Sequence, residues 1–440
     1  MKKSTLIVVV IAIALGCFVY FYDSKHTRKT KAEETAKPAF TVKPGEIASI
    51  TIRRKDNTVV LDKKGGTWEL SKPIESEADQ GTVDGIANDL SDLSIQRSFA
   101  ATDDLSKYGL ANPAATIEFQ GAKGAQHTIQ LGDKDFSGDA VYALVDKANP
   151  PKIDLLPVSL LDDANKPVND LRDRSLIDLN GAEVTGLSID DPSGAIKLTK
   201  APTGWEITEP RTTAADSEAV DGLVSSLSTS KFTDVASESA KDLGRYGLAH
   251  PAIKLDVTAK NGKQFHLVLS KKGADFYGRD LERPMIFTVN STVYDSFDKK
   301  FFDLRDKEIL HFDPTNVATV EVKNANGSVE CAQGKIDEWK MVQPASDKGK
   351  SVEGWKLTDP IENARAKQIW DKPPASVLAH LKKPAIQIVL TDKSGKATTI
   401  EISGAVGDSV YVRTSAGPQV YELNTQILKD LGFKASDLLI

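Results

Sequence analysis

Apolar and polar residues alternate along "ASITIRR" (Ala48 to Arg54) and again along "TVVLDK" (Thr58 to Lys63), with "KDN" between them. A period of two turns one face of a strand inward, so the pair predicts a β-hairpin. "TWELSKP" (Thr67 to Pro73) continues as a third strand, ended by its proline. The period then lengthens. Val83, Ile86, Leu90 and Leu93 recur at helical spacing and predict a helix with one buried face. "ATIEFQ", "QHTIQLG", "AVYALV" and "KIDLL" return to strand, and a short helix over residues 159–171 closes the run. The succession β-β-β-α-β-β-β-β-α mixes hairpins with segregated helices, which predicts an α+β fold of mostly antiparallel sheet with one or two helices.

The succession then repeats. "GTWELSKP" matches "TGWEITEP" (Thr203 to Pro210) and "DEWKMVQP" (Asp337 to Pro344), so that Trp68, Trp205 and Trp339 lie 137 and 134 positions apart. "VDGI" at Val83 is followed by "VDGL" at Val220 and "VEGW" at Val352; Val220, Leu223, Val224 and Leu227 restate the helical face. Pro113, Pro251 and Pro384 fall 45, 46 and 45 residues after their tryptophans. "LRDRSL" at Leu171 pairs with "LRDKEIL" at Leu304, and "FKASDLLI" ends the third copy in fainter form. Ordered markers at one spacing predict a triplicated unit of about 135 residues, long enough to hold its own core. The expected repeat domains are 43–178, 179–312 and a divergent 313–440. Gly85 and Gly222 sit inside the helical pattern, and with Gly354 they predict close helix-to-sheet approach.

Between helix and second strand group stands "KYGLANP" (Lys107 to Pro113), restated as "RYGLAHP" (Arg245 to Pro251). Gly109 and Gly247 suit a left-handed turn end, Leu110 and Leu248 point to the core, and Pro113 and Pro251 lead into a strand. Tyr108 and Tyr246 offer an apolar body with a polar tip. The third copy, "AHLKKP" (Ala379 to Pro384), keeps Leu381 and Pro384 and loses the Tyr and Gly. The retained positions are the structural ones, so the motif reads as a joint. The competing reading makes Tyr246 and His250 polar contacts of a cleft. Core packing is likewise the expectation for the three tryptophans. Arg172 with Asp173, and Arg305 with Asp306, are expected as partly buried ion pairs at the ends of their units.

The start of the chain departs from all this. Thr5 to Tyr22 is uncharged and largely apolar over eighteen residues, enough for a helix of about 27 Å against a hydrocarbon core of about 30 Å. Phe18, Tyr20, Phe21 and Tyr22 gather at its far end like an interfacial belt. An uncleaved signal anchor over residues 1–22 is favoured over cleavage near Ala12 to Ala14 and over a lipoprotein modified at Cys17. Residues 23–42, without apolar periodicity, read as a polar tether. Lys25, Arg28, Lys29 and Lys31 after the span would favour a cytoplasmic body by charge count; the short basic start before the apolar core is that of an export signal. The expectation is a single-pass protein of the bacterial cytoplasmic membrane with an extracytoplasmic body.

Composition narrows the chemistry. Of 440 residues 27% are charged, and the net charge of −6 with no basic stripe argues against nucleic acid as a partner. Two cysteines, Cys17 and Cys331, give no zinc site and no expected disulfide. "DKDFSGDAVYAL" (Asp133 to Leu144) resembles a calcium loop but carries Leu144 where the bidentate Glu belongs. "DKGKS" (Asp347 to Ser351) has Pro344 in place of the first glycine of a phosphate loop. The six histidines are scattered. No catalytic, cofactor or metal residue is expected.

The order W-x-[LI]-x-x-P, V-[DE]-G, [KR]-Y-G-L-x-x-P, L-R-D after one N-terminal span resembles the bacterial domain-of-unknown-function family 4340. The resemblance covers most of residues 43–312 and extends weakly into the last unit. It implies an envelope accessory role beside gliding-type ABC transporter components and brings no catalytic residues. The expected function is a non-enzymatic, membrane-anchored binding or scaffolding module with an envelope protein partner. The alternative is an extracytoplasmic hydrolase or glycan-acting enzyme using two carboxylates about 5–9 Å apart.

Overall fold

The computed structural model describes residues 37–101, 104–121, 124–146, 148, 151–179, 181–335 and 338–440. The apolar stretch Thr5–Tyr22 and Cys17 lie outside them. Among the described residues no helix is long and apolar enough to cross a membrane.

The described residues through Ser175, together with Lys231–Val235, form one compact unit; Leu176–Ser230 with Ala236–Ile440 form another. The first unit is built on one nine-stranded sheet, and two more nine-stranded sheets follow in the chain. In chain order the strands of the first sheet are Ser49–Arg54, Thr58–Lys64, Thr67–Lys72, Ser76–Glu77, Arg97–Ala100, Ala115–Gln120, Gln126–Lys134, Ala140–Val145 and Lys152–Pro157. Numbered so, they lie side by side in the order 4-3-2-1-6-7-8-9-5. The sheets that run from Val184 to Val289 and from Val317 to Asn424 repeat this order without change. The neighbours pair antiparallel, as in Ile50 opposite Leu61 and Phe119.

Alternation explains the buried face. Ile50, Ile52, Val59, Leu61, Trp68, Leu70, Ile117 and Phe119 are all within 1% of complete burial. The helix Gln80–Ser91 contributes Val83, Ile86 and Leu90 to the same core. Its start is set by Asp79, whose side chain accepts from the Thr82 N–H at 3.0 Å. Asp216 does the same for the helix Ser217–Thr229, accepting from Ala219 at 3.0 Å. The expected antiparallel α+β architecture in three copies is therefore present, with more elements than expected. Each repeat has two further short strands, numbers four and five, and the first repeat has three helices: Gln80–Ser91, Ser159–Ala164 and Val168–Leu171. Segments such as Ser76–Glu77 and Arg97–Ala100 hold no buried residue to betray them.

Three expectations are corrected. A Cβ placed on Gly85 or Gly222 would meet nothing within 4 Å, so neither glycine serves close helix-to-sheet approach. Gly354 does abut Trp339, at 2.0 Å from a built Cβ, but it is the N-cap of the helix Trp355–Glu362 and does not match Gly85. The register shows why: the backbone N–H groups of Asp79, Asp216 and Glu353 donate to Leu171, Leu304 and Leu438, each at 2.9 Å. Glu353 thus stands where Asp79 stands, and "VEGW" lies five positions ahead of "VDGI". Finally, residues 37–42, expected in the tether, are folded. Lys37–Pro38 pairs with Ser94–Ile95, and Phe40 is buried against Phe119, ring centroids 5.0 Å apart.

Candidate functional site

The heptapeptide is a joint in both copies. Leu105–Tyr108 and Leu243–Tyr246 are single 3-10 turns, ended by Gly109 at φ +69° and Gly247 at φ +76°. A Cβ on Gly109 would lie 2.6 Å from the Asp133 side chain, and one on Gly247 2.7 Å from Ser270 Oγ. Leu110 and Leu248 are buried, and Pro113 and Pro251 stand two residues before the sixth strand. Tyr108 packs against Phe99 and Tyr142; Tyr246 packs against Tyr277 and donates to the Ala236 carbonyl at 3.5 Å. In the third copy a helix, Ala375–His380, ends on Leu381 at φ −94°, so no glycine is needed. Leu381 is buried and Pro384 again precedes its strand by two residues. His250 is exposed and lines none of the clefts described below.

The calcium-like loop is the hairpin between strands seven and eight. The Asp135 carboxylate is occupied by the Ser137 hydroxyl and by the backbone N–H groups of Gly138 and Ala140. Among the described residues no three His, Cys, Asp or Glu side chains are placed to hold a metal ion. "DKGKS" forms a 3-10 turn and the short fourth strand. The Cys331 thiol is fully buried; burial, then the Glu330 charge, pushes it up to about 12.

What the shared polar residues build is a seam. In the first unit Ala78 bridges Arg172, and Asp173 N–H donates to the Glu77 carbonyl at 2.9 Å. Beyond it Ser175 bridges Lys231, and Phe232 N–H donates to the Arg174 carbonyl at 2.9 Å. The Lys231 ammonium reaches the second Asp79 oxygen at 2.7 Å. Burial works to raise the Asp79 carboxyl, but Lys231 and the Thr82 N–H outweigh it and hold it below the usual carboxylate range. In the second unit Ala215 bridges Arg305, Glu308 bridges Arg365, and Ala366 N–H donates to the Lys307 carbonyl at 2.9 Å. Val352 bridges Leu439 in the third repeat. Lys37–Pro38, with Ala39 N–H donating to the Leu93 carbonyl at 2.7 Å, occupies the same edge in the first.

The Leu-Arg-Asp pair of the second repeat differs from expectation. Arg305, 4% exposed, reaches forward to Asp371 through two bonds of 2.9 and 2.5 Å; Arg211 binds the same carboxylate at 2.7 Å. Asp306 does not pair with Arg305: it accepts from Glu308 N–H at 2.9 Å and binds His311 at 2.5 Å. Arg172 is 1% exposed, and Asp173 accepts from the Ser175 N–H and hydroxyl. Asp306 is kept off Arg305 because the backbone bridge at Arg305 turns successive side chains to opposite faces.

Around the second seam opens a polar cleft of about 500 Å³, lined by Trp205, Glu206, Asp216, Asp306, Glu308, His311 and Arg365 among others. Three of its acids, Asp216, Asp306 and Glu308, are engaged, whereas Glu206 and Glu218 also line it and have no side-chain partner among the described residues. Glu308 takes Arg365 at 2.7 Å and His311 at 2.7 Å, and Asp216 caps its helix and faces Lys307 at 4.0 Å. Trp205 and Trp68 are buried, and their indole N–H groups donate to Asp221 at 2.8 Å and Asp84 at 2.9 Å. One carboxyl pair lies elsewhere: Asp89, on the first long helix, is raised by burial and by a bond to Asp163, which is 7% exposed and also takes Lys166. Sequence reasoning missed this pair, because residues 74 positions apart leave no spacing signal.

No curated protein matches the chain. The family model described as "Domain of unknown function (DUF4340)" matches residues 68–206 and again 205–384, each match starting at a repeat tryptophan. Each match therefore starts in the third strand of one sheet and ends in the next repeat, and the second contains both sides of its seam, Glu308 and Arg365. With two tandem matches that together span most of its length, the chain belongs to the DUF4340 family.

Proposed function

We propose that this protein is a non-enzymatic envelope module, anchored by Thr5–Tyr22 with its body outside the cytoplasmic membrane, whose repeats bind or scaffold a protein partner. One observation supports the reading above others. The polar residues the repeats share, Asp79 and Asp216, Arg172 and Arg305, Lys231 and Arg365, are used on helix caps and seam pairs. Residues retained for a reaction would instead converge on an open cleft with free oxygens. A hydrolase built on Glu308, Asp306 or Asp216 would need them released from Arg365, His311 and Lys307, which leaves Glu206 and Glu218 as the unengaged carboxylates of the cleft. The partner we favour is a transporter complex of the gliding ABC type, on the strength of the motif resemblance alone.

Affinity capture of the full chain from gently solubilised membranes, with and without chemical cross-linking, tests this. Recovery of a stoichiometric membrane partner is the expected outcome. Recovery of the protein alone under both conditions would overturn it. A C-terminal reporter active only outside the cytoplasm should be active; a stable but inactive fusion would reverse the orientation.

A further inference from the structure

The third repeat breaks a pattern that the first two keep. In those, the buried tryptophan N–H is satisfied by an aspartate five residues beyond the helix-capping acid: Asp84 after Asp79, Asp221 after Asp216. Counted from Glu353, the corresponding residue is Thr358. Its hydroxyl is turned toward the Gly354 carbonyl and the Asp359 carboxylate, both at 3.5 Å. Trp339 is 5% exposed, and among the described residues its N–H has no acceptor. The pyrrole edge of the ring lies under Gly354, where a built Cβ would come within 2.3 Å of Nε1. Only glycine lets the helix start so close to the indole, and that leaves the N–H edge on the wall of a cleft of about 450 Å³. The helix Trp355–Glu362 begins without a side-chain cap, and the N–H groups of Lys356 and Leu357 donate to the Glu353 and Gly354 carbonyls at 3.2 and 2.9 Å.

The cleft carries a second departure. Trp355 is 57% exposed on its rim. The corresponding residue of the second repeat is Glu218, so the fold itself does not require an aromatic there. A solvent-exposed indole beside a donor without a protein acceptor is not explained by packing. The remaining wall is mixed: Pro314, Val352 and Ile440 are apolar, and Gln333, Glu353 and Asp359 add polar groups.

We propose that this cleft binds a neutral saccharide. A pyranose presents a flat C–H face that stacks on an exposed indole, an oxygen that accepts from the Trp339 N–H, and hydroxyls that donate to Glu353 and Asp359. Asp359 disfavours an anionic ligand, and the Glu353 carboxylate, paired with Lys356, keeps an oxygen for a hydroxyl. The volume lies in the range of clefts that enclose small ligands. The site is independent of the scaffolding reading, since it needs neither a protein partner nor the seam.

The test is calorimetric titration of the full chain, held in a detergent without sugar headgroups, with chitobiose and with maltotriose. The expected result is saturable binding of at least one, weakened about tenfold by Trp355→Ala and severalfold by Trp339→Phe, which keeps the ring and removes the donor. Trp205→Phe, which disturbs the matching bond in the second repeat, should leave it unchanged. Absence of saturable binding, or binding indifferent to both third-repeat substitutions, would overturn the proposal. So would Trp355-dependent binding of a blocked tetra-alanine peptide in place of both sugars.

Discussion

At the scale of single residues, the glycines separate two roles that look alike in sequence. Gly109 and Gly247 hold left-handed backbone and leave no room for a Cβ. Gly109→Ala or Gly247→Ala is therefore expected to destabilise by about 1–3 kcal/mol, from backbone strain and contact together. Gly85→Ala and Gly222→Ala enter open space inside a helix and should stabilise by about 0.5–1 kcal/mol. Chemical denaturation of the four variants checks both signs, and equal effects at all four positions would contradict the account. The joint was legible because Tyr, Gly, Leu and Pro each imply a local geometry. The helical glycines misled because recurrence by itself does not say what a residue faces. In the third copy, "VEGW" imitates "VDGI" in letters while the backbone bonds of Glu353 place it five positions earlier.

At the scale of elements, the hairpins and the long helices were legible from periodicity, since their apolar sides are buried almost completely. The short fourth and fifth strands were not, because they belong to sheet edges and carry few buried residues to set a period. Nor was the true partner of Arg305, a residue 66 positions away on the approach to another element. Asp371→Asn should leave the Arg305 guanidinium buried without its counter-charge and cost about 3 kcal/mol of stability. Arg305→Met combined with Asp371→Leu should recover most of it, as the third repeat, with Leu439 at the arginine position, already does without the charge. Thermal melts of the single and double variants decide this. A second expectation concerns Asp89. Its carboxyl is raised by burial and by Asp163, so the folded state holds that proton more tightly than the unfolded chain. The favourable contribution is present at low pH and is lost as pH rises through the raised value. Asp89→Asn should thus raise the melting temperature at pH 8, by about 1–3 °C, and leave it nearly unchanged at pH 4. A uniform shift at both pH values would contradict the paired-carboxyl reading.

At the scale of the whole molecule, triplication was legible from marker order, and the family match repeats it with the same period. The seam was not legible, because it is made of backbone bridges between segments far apart in sequence. Yet it gives meaning to residues that sequence analysis could only set aside: Asp79 caps a helix and holds Lys231, and "LRD" supplies the edge that the next segment joins. The segment Lys37–Ala39 fits the same pattern at the first repeat, which is why a stretch without periodicity is folded.

The central claim is that the residues the repeats share serve as joints. Hydrogen exchange of the full chain, resolved to single amides, tests it most directly. The amides of Ala39, Phe232 and Ala366 donate across the seams to Leu93, Arg174 and Lys307. They should exchange as slowly as amides within the neighbouring strands. Exchange of all three at the rate of free peptide, with the sheets still protected, would contradict the account.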